Sequence, residues 1–229
     1  TQSGRTRAFD VFVDGTWRAT DQLEFTAGLR FTHEQITSGY EVRNDPAFQT
    51  LGFIVNSIPG YPYLPSGGKR EASASTSSGD GRLIGRYAFS KTLNAYASVS
   101  RGHRPRALLL DSTTTTGVRE ESVLNYEAGL KGTFLRGKLD ATLAVFDLLK
   151  KDLLTSTTDP VTGIRTNQQI GAQQSQGIEA ALAISPGDGW RVELNGAFTD
   201  SSYADFNENL GTGLISRTGK RPSNVPEWV

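Results

Sequence analysis

Few residues in the chain could do covalent chemistry. Cysteine is absent, and the two histidines, His33 and His103, lie far apart in the sequence. That excludes a thiolate nucleophile and a thiolate metal site, and leaves no histidine-rich zinc cluster. Glu120-Glu121 and Lys150-Lys151-Asp152 are charge clusters. Adjacent residues on an extended chain point in opposite directions, so neither cluster converges on one substrate as an acid–base pair must. Both read as solvated loop ends. Gly79-Asp80-Gly81 lacks the strand–helix context and the spacing of a phosphate-binding loop. No nucleophile–base–orienter set and no metal constellation is legible, so neither a cofactor nor an enzymatic activity is expected.

Two segments remain as binding candidates. Arg101-Gly102-His103-Arg104-Pro105-Arg106 gathers cationic donors, which suit an anionic ligand or a lipopolysaccharide phosphate through charge-assisted hydrogen bonds. Gly60-Tyr61-Pro62-Tyr63-Leu64-Pro65 sets two tyrosines on a stiffened loop, where amphipathic rings can stack on a ligand. The candidate ligand-binding residues are Tyr61, Tyr63, Arg101, His103 and Arg104. The plainer reading of both segments is an ordinary exposed loop.

The elements that carry these segments are strands. Lys+Arg and Asp+Glu both number 24, so no basic excess points to nucleic acid. Hydrophobic residues make up 36%, and the longest apolar run, Ala180–Ile184, is far short of the ~20 residues of a membrane-crossing helix. Strands that cross a membrane alternate faces, so this average does not exclude them. Period 2 recurs throughout. Leu23, Phe25, Ala27, Leu29 and Phe31 share one face, opposite Glu24, Thr26, Gly28, Arg30 and Thr32. Phe9, Val11, Val13 and Trp17 share a face in the preceding segment, with Phe12 on the polar side. Six further segments alternate in the same way, near 82–89, 93–100, 126–134, 139–146, 177–184 and 190–199, and the apolar face of all eight carries no charge.

The connections are sorted. Short turns lie near Thr20-Asp21, Ser90-Lys91-Thr92, Arg136-Gly137-Lys138 and Pro186–Gly189, and long polar loops run over about 33–80, 101–121, 155–174 and 200–222. Four hairpins with tight turns at one end and long loops at the other match an outer-membrane barrel better than a sandwich or propeller. Trp17, Tyr87, Phe89, Phe134 and Trp190 lie near the short turns, and Phe9, Phe31, Tyr126 and Phe198 near the loops, as two aromatic girdles would. The fold class expected is all-β, an antiparallel up-and-down transmembrane β-barrel. Small inward residues at Gly28, Ala88, Gly129, Ala181, Ala183 and Ala197 would underpack a closed eight-stranded barrel, so the chain is expected to be a partial arc of a larger one. Pro222–Val229 reads as the approach to a ninth strand. The chain has no methionine and no signal peptide, and is therefore read as a processed or excised piece.

Several motifs resemble one family. Ser98-Val99-Ser100-Arg101-Gly102-His103-Arg104-Pro105 is similar to the Y-A-S-x-S-x-G-F-R-P strand and loop of TonB-dependent outer-membrane receptors, with His103 in place of the usual aromatic. Asn125–Lys131 resembles that family's N-Y-E-x-G-x-K strand. Ala144-Val145-Phe146, Asn167 and Ser175-Gln176-Gly177-Ile178-Glu179 resemble its A-x-F…N…S-x-G-x-E succession, and Asn224-Val225-Pro226 its N-x-P lead-in. The resemblance covers almost the whole chain in order. It implies that residues 1–229 are part of the barrel domain of a 22-stranded type, without the plug domain and the final strands. It implies a receptor in the outer membrane of a Gram-negative bacterium, importing a ferric siderophore, haem, cobalamin or glycan by TonB-coupled transport. The partners implied are outer-membrane lipid and lipopolysaccharide, the plug domain of the parent chain, the TonB complex through the N-terminal region, and a small-molecule ligand, with no nucleic acid. The alternatives are a self-contained small barrel, structural or passive, and an outer-membrane barrel hydrolase.

Overall fold

The computed structural model describes residues 2–41, 68–110, 115–158, 165–187, 189–209 and 213–229. Eight long strands form one antiparallel sheet in chain order. They are β1 (Gln2–Arg18), β2 (Leu23–Tyr40), β3 (Arg70–Ala88), β4 (Leu93–Arg104), β7 (Glu121–Phe134), β8 (Leu139–Thr158), β9 (Arg165–Ile184) and β10 (Val192–Asp205). Two short hairpins stand apart from this sheet: β5 (Ala107–Leu110) with β6 (Thr115–Val118), and β11 (Asn207–Asn209) with β12 (Leu214–Ser216). No ladder joins β1 to β10 among the described residues, so the sheet is an open arc.

The register turns the alternation of each strand into two continuous faces. Val13 lies opposite Leu29, Trp17 opposite Phe25, Ala27 opposite Leu83, Leu130 opposite Leu143, and Ile178 opposite Phe198. A slip of one residue anywhere would move that strand's apolar set into the lumen. The outer face has no protein to cover it. Leu29, Leu143, Leu182, Val192 and Leu194 are all exposed, Leu29 at 66%. Leu23 and Phe25, on the same face of β2 as Leu29, are half-buried. Phe25 stacks on Trp17 with ring centroids 5.9 Å apart. From Phe9 to Trp17 the strand covers roughly 20 Å at about 3.3 Å rise and about 40° tilt, most of the ~25 Å apolar band of a barrel.

The β1–β2 and β3–β4 turns share one construction. Thr20 Oγ1 accepts hydrogen bonds from the amides of Gln22 and Leu23, at 3.2 and 2.9 Å. Ser90 Oγ does the same for Thr92 and Leu93, at 3.2 and 3.1 Å. A side-chain hydroxyl thus caps the turn where a strand amide would go unpaired. The β7–β8 turn instead uses left-handed backbone at Leu135, Arg136 and Gly137.

Strand lengths depart from expectation. β1, β2 and β3 have 17, 18 and 19 residues, and β8 and β9 have 20 each. About 9–11 residues suffice to cross a bilayer, so these strands continue well past the apolar band into segments read from the sequence as loops. Above the band the residues of both faces are largely polar, and the alternation that marks a strand disappears.

At the far side of the arc, Val229 and Ala197 exchange two backbone hydrogen bonds of 3.0 Å, and the Thr199 amide donates to Glu227 O at 2.8 Å. Phe198 packs on Trp228 with centroids 4.7 Å apart. The expected ninth strand therefore begins here, on the free edge of β10. Arg221 steadies its approach by donating to the Thr199 and Val225 carbonyls.

Candidate functional site

The inner face carries rows of paired charge. Arg82 donates to Asp14 Oδ2 at 2.8 and 3.1 Å across Gly28, which lies between them on β2. A Cβ at Gly28 would run into that carboxylate. Glu24 lies between Arg18 at 3.2 Å and Arg86 at 3.7 Å. Asp10 accepts from Arg30 Nε at 3.0 Å and from Thr32 Oγ1 at 2.6 Å. The small inward residues were expected to line an open lumen. At Gly28 and Gly129 the space is instead taken by neighbours: an ion pair at the first, the Tyr96 ring at the second. Near the membrane's turn side, Arg191 hydrogen-bonds Glu193 at 2.6 Å. That bond and the Glu193 charge hold its proton more tightly than usual.

The site itself lies where two strands part. The ladder between β3 and β4 runs from Ala88–Asn94 to Gly81–Arg101 and stops. β3 continues with β2 to Arg70, and β4 continues with β7 to the Arg104–Glu121 pair. Residues 101–110 and 115–121 lie in the resulting fork. Arg101 Nη1 donates to the Gly79 carbonyl at 2.6 Å, replacing a ladder bond, and Arg101 lies 4.0 Å from Glu120. His103 Nδ1 meets Asp80 Oδ1 at 2.6 Å, and its side chain is 6% exposed. Ser78 Oγ donates to Glu120 at 2.5 Å. β5 packs against β2 and β3, and the inward side chains of Thr32, Glu34 and Ser78 are buried there.

A second set of pairs lies beside the fork. Arg104 Nη2 donates to Glu121 Oε1 at 2.5 Å, and the same oxygen accepts from the Leu154 amide at 2.7 Å. Arg119 pairs with Asp152 at 2.8 Å, while Gln169 bonds to Arg119 and to the Asp152 carbonyl. Glu120 and Glu121 do point to different partners, as their adjacency required. They are not free solvated ends, however: each anchors an arginine. Their partners come from strands that fold together only at long range, so neighbouring residues carried no signal of the pairing.

Of the sequence candidates, Arg101, His103 and Arg104 all lie at this fork, but not on one face: Arg101 alternates onto the side of Val99 and lines an outer hollow with Leu29 and Leu83, His103 meets Asp80, and Arg104 meets Glu121 on the inward side. Tyr61 and Tyr63 lie outside the described residues. The Arg101 and Arg104 side chains are more than half exposed beside their carboxylates. Arg106 Nε is buried with no partner among the described residues. The arrangement can hold a polar or anionic ligand against fixed guanidinium donors. Among the described residues no group of three or more His, Asp or Glu side chains could hold a metal ion.

The profile of the family described as TonB dependent receptor-like, beta-barrel, matches residues 1–229. The ferric-pyoverdine BN7/BN8 receptor of Pseudomonas putida is 27% identical over 128 residues, covering 56% of this chain and 15% of the relative. The pesticin receptor of Yersinia enterocolitica is 22% identical over 201 residues, covering 86% of this chain and 26% of the relative. The ferric yersiniabactin uptake receptor of Yersinia pestis superposes with a TM-score of 0.72 at 18% identity, over 99% of this chain and 31% of that structure. The chain thus spans about a quarter or less of these two curated relatives.

Proposed function

Because the chain belongs to the TonB-dependent receptor β-barrel family, we propose that its parent protein is an outer-membrane receptor importing a ferric siderophore by TonB-coupled transport. The family's barrels indicate the outer membrane of a Gram-negative bacterium. The observation that carries the reading is the two-faced arc: an exposed apolar band outside, and inside it a charged wall topped by an arginine-bearing rim. The relatives named above for pyoverdine and yersiniabactin support the siderophore class over haem, cobalamin or glycan. In this reading Arg101, Arg104, Tyr61 and Tyr63 meet the ligand, while His103, buried against Asp80, positions the fork that carries the two arginines. A plug domain and further strands of the parent chain complete the lumen. The open order from β1 to β10 disfavours a self-contained small barrel.

The test is uptake of iron-55 by a strain lacking its own siderophore receptors and expressing the full-length parent. Each of a panel of defined ferric siderophores is supplied in turn, with and without TonB. Accumulation of at least one chelate, abolished without TonB, is expected. Passage that ignores TonB and admits unrelated solutes would mark a passive pore and overturn the reading.

A further inference from the structure

β8 outlasts one of its neighbours. Its ladder with β7 ends at the pair Ser122 and Lys151, while its ladder with β9 continues to Thr158 and Arg165. Asp152, the next residue, has a φ of 56°, a left-handed conformation that aspartate tolerates better than most residues. No rung joins it to Gly171 on β9, yet the register is the same on both sides of this break. Its carbonyl accepts from Gln169 Nε2 at 2.8 Å, and its carboxylate meets Arg119 Nη2 at 2.8 Å. With the register kept, Gln169 shares the lumen face of β9 with Gln173 and Glu179. It therefore reaches Arg119 over the inner surface of β8.

The Gln169 side chain stands in for a missing strand. Its Oε1 accepts from the Arg119 amide at 3.1 Å, and its Nε2 donates to the Arg119 carbonyl at 3.2 Å. A primary amide can satisfy a backbone donor and a backbone acceptor together, as a neighbouring residue in a ladder would. The same Oε1 accepts from Arg119 Nε at 3.3 Å. Those backbone bonds alone would tether the segment. The added bonds to Nε and Nη2 orient the guanidinium itself. Nη1 has no acceptor among the described residues, and the Arg119 side chain is 67% exposed. Val118, just before it, is buried, so this exposed group stands on a seated backbone.

We propose that Arg119 is a specificity-determining contact for an anionic group on the periphery of the ferric chelate, with Gln169 and Asp152 as the residues that position it. The inference rests on the receptor reading above. A guanidinium pinned along one edge keeps its other edge for a carboxylate or catecholate oxygen. It also gives up less side-chain freedom on binding than an untethered one. Arg104 is presented in the same manner. Glu121, 12% exposed, holds it and also takes the Leu154 amide that β7 no longer pairs. Glu121 lies two residues from Arg119, so the two guanidinium groups border one stretch of the rim.

The experiment uses the full-length receptor in the uptake strain described above. The panel of ferric siderophores is sorted by net charge, with ferric enterobactin as a trianionic tris-catecholate and ferrichrome as a neutral tris-hydroxamate. Arg119→Gln should raise the half-saturation concentration for an imported anionic chelate by a factor of about ten or more, with the maximal rate retained. Arg119→Lys should recover part of that loss. Gln169→Leu should act like Arg119→Gln, and the double variant should be no worse than either, since both changes remove one contact. All variants should keep the heat-dependent gel shift of a folded barrel. If Gln169→Leu loses it, Gln169→Glu takes its place, since it keeps the accepting oxygen and removes the donated bonds. A fall in maximal rate for every chelate at unchanged half-saturation would mark a purely structural tether and overturn the proposal. Import confined to neutral chelates, or additive effects in the double variant, would overturn it too. Import of no chelate by the wild-type receptor would instead overturn the underlying reading, before any variant is made.

Discussion

The Tyr96 ring lies over Gly129, the residue directly opposite it on β7. A Cβ at Gly129 would stand 2.7 Å from the ring and 2.7 Å from the Leu143 carbonyl. The hydroxyl of Tyr96 hydrogen-bonds to Glu127, and Lys131 Nζ lies 4.8 Å from the ring centroid. One absent side chain thus lets an aromatic ring lie flat between two charges of opposite sign. Phe146 fills the space over Gly177 in the same way.

Gly129→Ala should therefore destabilise the folded barrel by about 1–3 kcal/mol, the usual cost of overpacking. Tyr96→Ala in the same chain should recover only part of that loss, because the Leu143 carbonyl remains in place. Urea titration of the full-length receptor in lipid vesicles measures both. Full recovery in the double variant would show that the ring alone sets the requirement.

Neighbouring positions on β8 should respond in opposite ways to the same substitution. Leu143 is 49% exposed on the outer face, and Thr142 faces inward opposite Lys131 and Ala181. Leu143→Arg should cost about 2–4 kcal/mol near the bilayer midplane, whereas Thr142→Arg should cost under about 1 kcal/mol. The same vesicle titration reads the difference, and equal costs would contradict the assignment of faces.

Removing the hydroxyl that caps a turn should cost about 1 kcal/mol at each site. Thr20→Val and Ser90→Ala are the matched variants. Their effects should add, since the turns cap different hairpins, with Ala88 donating to Gln22 as their nearest backbone link.

His103→Ala should loosen the fork between β3 and β4 without unfolding the barrel. The substitution leaves Asp80 without its partner and opens space beside Ser78 and Glu120. Limited proteolysis should then cut within 101–121 several times faster, while the heat-dependent gel shift is retained. Unchanged cleavage would show that the fork holds without this contact.

The eight membrane-crossing segments were legible because a bilayer on one side and a wet lumen on the other impose opposite polarity on alternate residues. Leu23 to Thr32 shows this in a single run. From His33 to Tyr40 both faces are polar, so the same strand continues without its signature. The rim was legible only in part. Arg101 and Arg104 stood out as cations, but the fork that pairs them with Glu120 and Glu121 depends on register, which residue types alone do not specify. Phe12, the inward exception, is 77% exposed opposite Arg30.

The parting of β3 from β4 leaves the β4-facing edge of residues 71–78 without a ladder partner among the described residues. A row of bare amides and carbonyls outside the bilayer invites a stray strand from another molecule. The outward residues there are Glu71, Ser73, Ser75, Ser77 and Gly79, with Arg70 and Lys69 at the end. Such side chains bury little apolar area against an intruder and add charge where it would dock. The composition of this stretch thus favours colloidal stability: two such edges meeting would gain little from burial and would bring like charges together.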